Sequence, residues 1–240
     1  MIFLYEQSDK KNREERLREA GEFYLNKLGR SMPQAEDCWR VERTKRGKPF
    51  FPDQPGLQFS ISHSGSVWAC VMAEHPVGLD IQKHTRFSHE TEQEAAERYG
   101  RMAVRFFHER EAAYVKKDPG TRFFQIWAAK ESYVKYTGRG IEADFSRFSV
   151  IPDETAAEET ERKMKQKHTE QGELLFFREW SYPAGMSLCV CTEWPEEQEI
   201  WLRTEQELIL KRTDRTELLE WSIKKTDKIY NKTKDRKSVV

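Results

Sequence analysis

At 240 residues, with 37% hydrophobic and 34% charged residues, the chain has room for one large domain or two small ones around a sizeable core. Its 41 basic residues balance its 41 acidic ones, so nucleic acid is not an expected partner. No run approaches the roughly 18 consecutive apolar residues of a transmembrane helix, so no membrane partner is expected either.

In chain order, Ile2 to Tyr5 reads as a first strand, because Glu6 brings charge too early for a secretory signal. Leu17, Ala20, Tyr24 and Leu28 recur at three- and four-residue spacing, which predicts a helix from about Arg13 to Leu28 that Gly29 stops. Glycine and proline punctuate Gly47-Lys48-Pro49 and Pro52 to Gly56. Phe59 to Ser62, Val67 to Ala73 and Val77 to Gln82 then read as strands. Glu90 to Phe107 and Arg122 to Tyr136 are helical by pattern, the second ending at Thr137-Gly138. Asp153 to Glu173 is highly charged and is expected as a loop or an exposed helix. Leu174 to Trp180 and Met186 to Thr192 return as strands, and Pro195 is expected to open a final helical segment running through Trp221. From Ser222 onward seven Lys and Arg face two Asp, a basic tail best read as a solvated end. Strands and helices intermix, so the fold class is α+β. Cys38, Cys70, Cys189 and Cys191 include no C-x-x-C pair and read as buried, reduced thiols of a cytoplasmic protein.

Three clusters carry chemistry. They are Gly47-Lys48-Pro49; Phe59-Ser60-Ile61-Ser62-His63-Ser64-Gly65, followed by Val77-Gly78-Leu79-Asp80-Ile81-Gln82; and Trp127-x-x-Lys130-Glu131-Ser132-x-x-Lys135. On a helix Glu131 and Lys135 are four apart, which alone means no more than a surface ion pair of about 0.3–0.5 kcal/mol. Asp80 is more telling. It sits inside an apolar strand, where a carboxylate is costly unless it is paired or bound to a metal. Gln82, two residues on, shares its face. Asp80, Gln82 and Glu131 could together offer oxygens to Mg²⁺, which takes one or two protein carboxylates and completes its shell with water and substrate phosphate. Ser62-His63-Ser64-Gly65 suits phosphate oxygens. A Ser/His nucleophilic pair is disfavoured, because neighbours on a strand face opposite sides and no G-x-S-x-G elbow occurs.

These four segments, in this order, resemble the surfactin-synthetase-activating (Sfp) type of 4′-phosphopantetheinyl transferase. That family carries G-K-P, F-x-I-S-H-S-G, (V/I)-G-(I/L)-D-(I/V)-E and W-x-x-K-E-S-x-x-K. The resemblance covers about residues 20 to 192. It implies two similar α+β halves packed as a pseudo-dimer, expected at 1–76 and 77–195; residues 196–240, which the resemblance does not reach, are expected as a helical extension and flexible basic tail. It also implies coenzyme A in the cleft between the halves, a monomeric chain, and an apo acyl or peptidyl carrier protein as acceptor, as in secondary metabolite biosynthesis. By carry-over, Asp80 and Glu131, with Gln82, ligate Mg²⁺ at the pyrophosphate, and Lys48, Ser62 and His63 contact the phosphates of coenzyme A. Lys135 offsets charge on the pyrophosphate or on the departing 3′,5′-ADP. Either Glu131 or Glu111 accepts the serine proton.

The chain departs from the family at Gln82, where Glu is usual, which implies weaker Mg²⁺ binding. The family's basic helix for the 3′-phosphate is not evident, and Arg13, Arg16, Arg18, Arg43 and Arg46 are candidates to replace it. Three rival readings are weighed: a non-catalytic relative that binds coenzyme A or a carrier, another Mg²⁺ phosphotransferase, and a pure interaction module. Gln82 alone speaks for the first. The second would show G-x-x-x-x-G-K-[ST], which is absent. The third would need neither an acid in an apolar strand nor the S-H-S turn.

Overall fold

The computed structural model describes residues 1–6, 12–31, 36–140, 144–151, 174–181, 183–194, 199–203, 208–211 and 218–224. Strand β1 (Ile2–Glu6) leads through helix α1 (Arg13–Lys27) and a small hairpin, β2 (Glu42–Arg43) and β3 (Pro49–Phe50), to β4 (Gln58–Ser64) and β5 (Val67–Ala73). Strand β6 (Val77–Lys83) then begins a second round. Helices α2 (Glu92–Phe106), α3 (Glu109–Val115) and α4 (Pro119–Thr137) precede β7 (Leu174–Trp180) and β8 (Met186–Thr192). In each round the first strand pairs antiparallel with the last, and the last with the middle one, giving β1-β5-β4 and β6-β8-β7. The fold is α+β, with one strand–helix–hairpin connectivity used twice.

Local chemistry sets the helix ends. Asn12 with Glu15, Thr91 with Glu94 and His108 with Glu111 form reciprocal capping boxes at the starts of α1, α2 and α3. Gly138 stops α4 in the left-handed region at φ 66°. The two sheets pack face to face. Ile2, Leu4, Val67, Ala69 and Val71 of one meet Val77, Leu79, Ile81, Leu188 and Val190 of the other. The outer face of the first sheet receives α1, through Phe3, Tyr5, Cys70 and Met72. The outer face of the second receives α2, α3 and α4. Strands covered on both faces lose the polar alternation of a half-exposed sheet, which is why Val67–Ala73 and Met186–Thr192 read as continuous apolar runs. All four cysteines are free and buried, as anticipated. Among the described residues no helix is long and apolar enough to cross a membrane.

The expected helical extension is corrected. Strands β9 (Ile200–Arg203), β10 (Leu208–Lys211) and β11 (Leu218–Lys224) occupy it. Strand β9 lies parallel to β1 with β10 beyond it, and β11 pairs with the outer edge of β7. The adjacent apolar pairs that suggested a helix serve strands instead. The open edges of β1 and β7 offer unpaired main-chain N–H and C=O groups, and Ile200 and Trp201 are buried when β9 takes up the first of these. Helix α3 and the β2–β3 hairpin were not anticipated. The charged run from Asp153 to Glu173 and the tail beyond Lys224 lie outside the described residues.

Candidate active site

Strands β4 and β6 are edge strands of different sheets, and they meet along a seam. Ser60, Ser62 and Ser64, at period two on β4, face β6 and line that seam. The Leu79 N–H donates to Ser60 Oγ at 3.0 Å and the Lys83 N–H donates to Ser64 Oγ at 2.9 Å. Hydroxyls thus satisfy two main-chain donors that no strand pairs, which removes a desolvation cost of about 1–3 kcal/mol for each. The middle hydroxyl does something different. Ser62 Oγ donates to Asp80 Oδ1 at 2.6 Å.

Asp80 is placed by a glycine two residues earlier. A Cβ on Gly78 would lie 1.9 Å from Ser132 O and 2.4 Å from Tyr136 N, so only glycine lets α4 rest directly on β6. That close approach brings the α4 side chains Glu131 and Lys135 alongside Asp80. Lys135 Nζ donates to Asp80 Oδ1 at 2.6 Å, and Gln82 Nε2 donates to Oδ2 at 2.8 Å. The ion pair that helix spacing suggested between Glu131 and Lys135 is replaced by one between Lys135 and Asp80. Among the described residues the Glu131 carboxylate has no hydrogen bond and no ion pair. Burial, and then the charge of Asp80, push its pKa above the ordinary carboxylate value.

The seam opens into a cleft of about 1360 Å³. Eight Lys or Arg side chains line it against three Asp or Glu, so the cleft favours a multiply charged anion. The Gly47-Lys48-Pro49 turn reaches across it from the first half. Gly47 takes φ 86°, and Lys48 Nζ donates to the carbonyl of Tyr136 at the C-terminal end of α4, 2.8 Å away. Burial lowers the Lys48 pKa. Of the arginine candidates, Arg13, Arg43 and Arg46 line the cleft. Arg16 instead lies over the rings of Tyr5 and Trp68, and Arg18 pairs with Glu22. Lys45, Arg105 and Arg139 also line it and were not singled out from sequence, since nothing separates them from solvated surface charges before the chain is folded.

The structure therefore brings Lys48, Ser62, His63, Asp80, Gln82, Glu131 and Lys135 to one cleft. Ser62 is buried and His63 exposed, the opposite orientation expected of neighbours on a strand. Glu111 is the exception, and its expected place at the reacting group, as an alternative base to Glu131, is corrected. It is fully buried against Lys130, with Nζ 2.7 Å from Oε2 and neither side chain exposed. Glu111 also accepts the N–H groups of Val150 and His108 at 2.7 and 3.1 Å, and Lys130 donates to the carbonyls of Phe145 and Phe148. A carboxylate at 0% exposure is too costly to leave unpaired, so Glu111 and Lys130 hold α3, α4 and the 145–150 segment together, and neither lines the cleft. Burial pushes Glu111 up and Lys130 down to about 8, each opposed by the partner's charge.

Among the described residues no three His, Cys, Asp or Glu side chains form a ready metal cage. Two carboxylates and an amide nonetheless suit Mg²⁺, whose remaining positions water and phosphate oxygens fill. Among the described residues Glu131 is half-buried beside Asp80 without a hydrogen bond or ion pair, and a cation between the two carboxylates would relieve their repulsion.

Comparison with known proteins matches residues 76–186, which run from the start of β6 to the start of β8, to the 4′-phosphopantetheinyl transferase superfamily. The match takes in 111 of the 240 residues, a little under half of the chain. The chain is 34% identical over 115 residues to the 4′-phosphopantetheinyl transferase Sfp of Bacillus subtilis strain 168, covering 46% of each chain. It is 29% identical over 161 residues to the 4′-phosphopantetheinyl transferase ffp of Bacillus subtilis, covering 65% of this chain and 64% of the other. It is also 32% identical over 139 residues to a mouse L-aminoadipate-semialdehyde dehydrogenase-phosphopantetheinyl transferase, covering 48% of this chain and 40% of that one. The chain thus spans about half the length of the curated relatives it matches. The superfamily segment contains Asp80, Gln82, Glu131 and Lys135. Lys48, Ser62 and His63 come from the part that precedes it.

Proposed function

We propose that the chain transfers the 4′-phosphopantetheine arm of coenzyme A to a serine hydroxyl of an apo acyl or peptidyl carrier protein, releasing 3′,5′-ADP. The observation that carries this reading is the pairing of Asp80 with Lys135 beside a Glu131 that has no hydrogen bond or ion pair among the described residues, inside a cleft with a basic excess. Coenzyme A is a polyphosphate of the charge such a cleft attracts. Asp80, Glu131 and the Gln82 amide oxygen would hold Mg²⁺, which when bound neutralises charge on the pyrophosphate.

The residues of the chain do the rest. The serine oxygen forms a bond to the β-phosphorus while the bond from that phosphorus to the bridging oxygen breaks, and 3′,5′-ADP departs with that oxygen. Glu131 takes the serine proton. Its pKa, raised by burial and by the charge of Asp80, makes it a stronger base than an exposed carboxylate. Glu111, held by Lys130, does not compete for this role. Lys135 offsets charge on the leaving group, and Lys48, His63 and the arginines at the cleft hold the phosphates. Much of the acceleration then comes from alignment and fixed charge.

We also read the units 1–76 and 77–195 as the two halves between which the substrate lies, and the chain as a cytoplasmic monomer. The test is mass spectrometry of several apo carriers incubated with the protein, coenzyme A and Mg²⁺. A carrier heavier by one phosphopantetheine arm supports the reading. Coenzyme A binding in calorimetry, with no carrier gaining mass, would favour the non-catalytic relative.

A further inference from the structure

Asp80 carries three donors without any metal, two of them on one oxygen. Oδ1 accepts from Ser62 Oγ and Lys135 Nζ, both at 2.6 Å, and Oδ2 accepts from Gln82 Nε2 at 2.8 Å. Oδ1 is therefore filled, and a divalent cation that takes it must displace one of its two donors. Ser62 sits on a strand whose neighbouring hydroxyls are fastened to β6, so it can retreat least. Gln82 is on the same strand as Asp80, two residues away. Lys135 differs from both, with a long flexible side chain that is 28% exposed, against 3% for Asp80. It is the donor free to move.

We propose that Lys135 acts as an internal counter-ion for Asp80, surrendering Oδ1 when a divalent cation arrives and swinging toward the anionic end of the bound substrate. This rests on the metal and substrate reading given above and adds a positioning role to it. One ammonium group serves two sites in turn. Before the cation binds, it balances a carboxylate in the interior that would otherwise be unpaired, and that holds the site open with α4 in register. After exchange, the same charge is available to the phosphates without a second lysine. The arrangement also explains how the site tolerates Gln82 in place of an acid. Asp80, Glu131 and Lys135 sum to a single negative charge before exchange, and a third carboxylate would raise the charge that Lys135 alone must balance. The exchange makes a prediction in an unusual direction. Removing a residue of the site should strengthen metal binding by the free protein.

The test is Mn²⁺ binding, measured by electron paramagnetic resonance in the absence of coenzyme A, for wild type, Lys135→Met, Lys135→Arg and Asp80→Asn, with thermal melts to verify folding. Lys135→Met should bind Mn²⁺ about tenfold more tightly than wild type, the scale of one released ion pair and one removed like charge. Lys135→Arg, which keeps both charge and pairing, should stay within about threefold of wild type by the same scale. Asp80→Asn should bind no Mn²⁺ at the site. Equal affinity in wild type and Lys135→Met, with binding still lost in Asp80→Asn, overturns the exchange while leaving the metal site standing. Weaker binding in a folded Lys135→Met overturns it as well. Failure of every variant to bind Mn²⁺ overturns both the exchange and the metal reading beneath it.

Discussion

Lys130→Met isolates the buried pair that keeps Glu111 away from the cleft. In the wild type Lys130 and Glu111 are both fully buried, 2.7 Å apart, and each has further main-chain partners. Removing Lys130 leaves a carboxylate in the interior without a counter-charge, and breaking a pair in this way costs about 3–5 kcal/mol. Each kcal/mol shifts the melting temperature of a chain this size by about 2–4 °C, so a fall of roughly 6–20 °C is expected from the two ranges together. The cost has a pH signature. Burial already raises the Glu111 pKa, and loss of the lysine charge raises it further. The folded variant then favours the protonated form, so its deficit is smallest at low pH and grows as pH rises through that raised pKa. Adding Glu111→Gln should recover most of the loss, since the amide oxygen can still accept the Val150 N–H. Urea melts at pH 5 and pH 8 on the single and double variants measure this. A deficit below about 1 kcal/mol, typical of an exposed pair, or one that does not change with pH, would refute the reasoning.

Gly78→Ala should cost about 3 kcal/mol or more, above ordinary overpacking, because the new methyl meets helix backbone and no side chain that could rotate away; thermal melts check this, and the Lys135–Asp80 contact should be lost with it. In the metal-free protein, an NMR titration should place the Glu131 midpoint above 4.5, and Asp80→Asn should lower it by removing the neighbouring charge. Glu179 is buried on β7, and burial raises its pKa to about 7 against the opposing hydrogen bonds of Ser187 and Gln125. A raised acid stabilises the fold while protonated, so its contribution is fully present below its unfolded value near 4.5 and is lost as pH rises through about 7. Glu179→Gln should remove that slope and stabilise the protein at pH 8 by about 2–3 kcal/mol in denaturant melts.

Much of this fold was legible because its signals are local. The strands from Val67, Leu174 and Met186 run as their apolar stretches suggested, and α1, α2 and α4 follow their periodicity and stops. The three C-terminal strands were not legible. Their structure depends on edges of β1 and β7 that no local window of sequence contains, and adjacent apolar pairs fit helix and strand equally well. At the site, Asp80 stood out because a charge in an apolar strand demands a reason. The roles of Ser60 and Ser64 were present as a period-two row of serines, yet only the meeting of two sheet edges gives that row a purpose. Glu111 was misplaced because Lys130 and Glu131 are adjacent in sequence but turn to different surroundings. Lys130 faces the interior and fixes Glu111 there, while Glu131 faces the cleft. A helix assigned without its packing partners cannot distinguish them.

The central claim is that this cleft moves a phosphopantetheine arm with Asp80 and Glu131 at its centre, and counting both products in one reaction tests it most directly. The protein, coenzyme A, Mg²⁺ and an apo carrier are mixed, and 3′,5′-ADP and holo carrier are quantified together for wild type, Asp80→Asn and Glu131→Gln. Wild type should release one 3′,5′-ADP for each carrier modified, and both folded variants should run slower by on the order of a hundredfold or more. Turnover that survives either substitution, or 3′,5′-ADP released with no arm on the carrier serine, would contradict it.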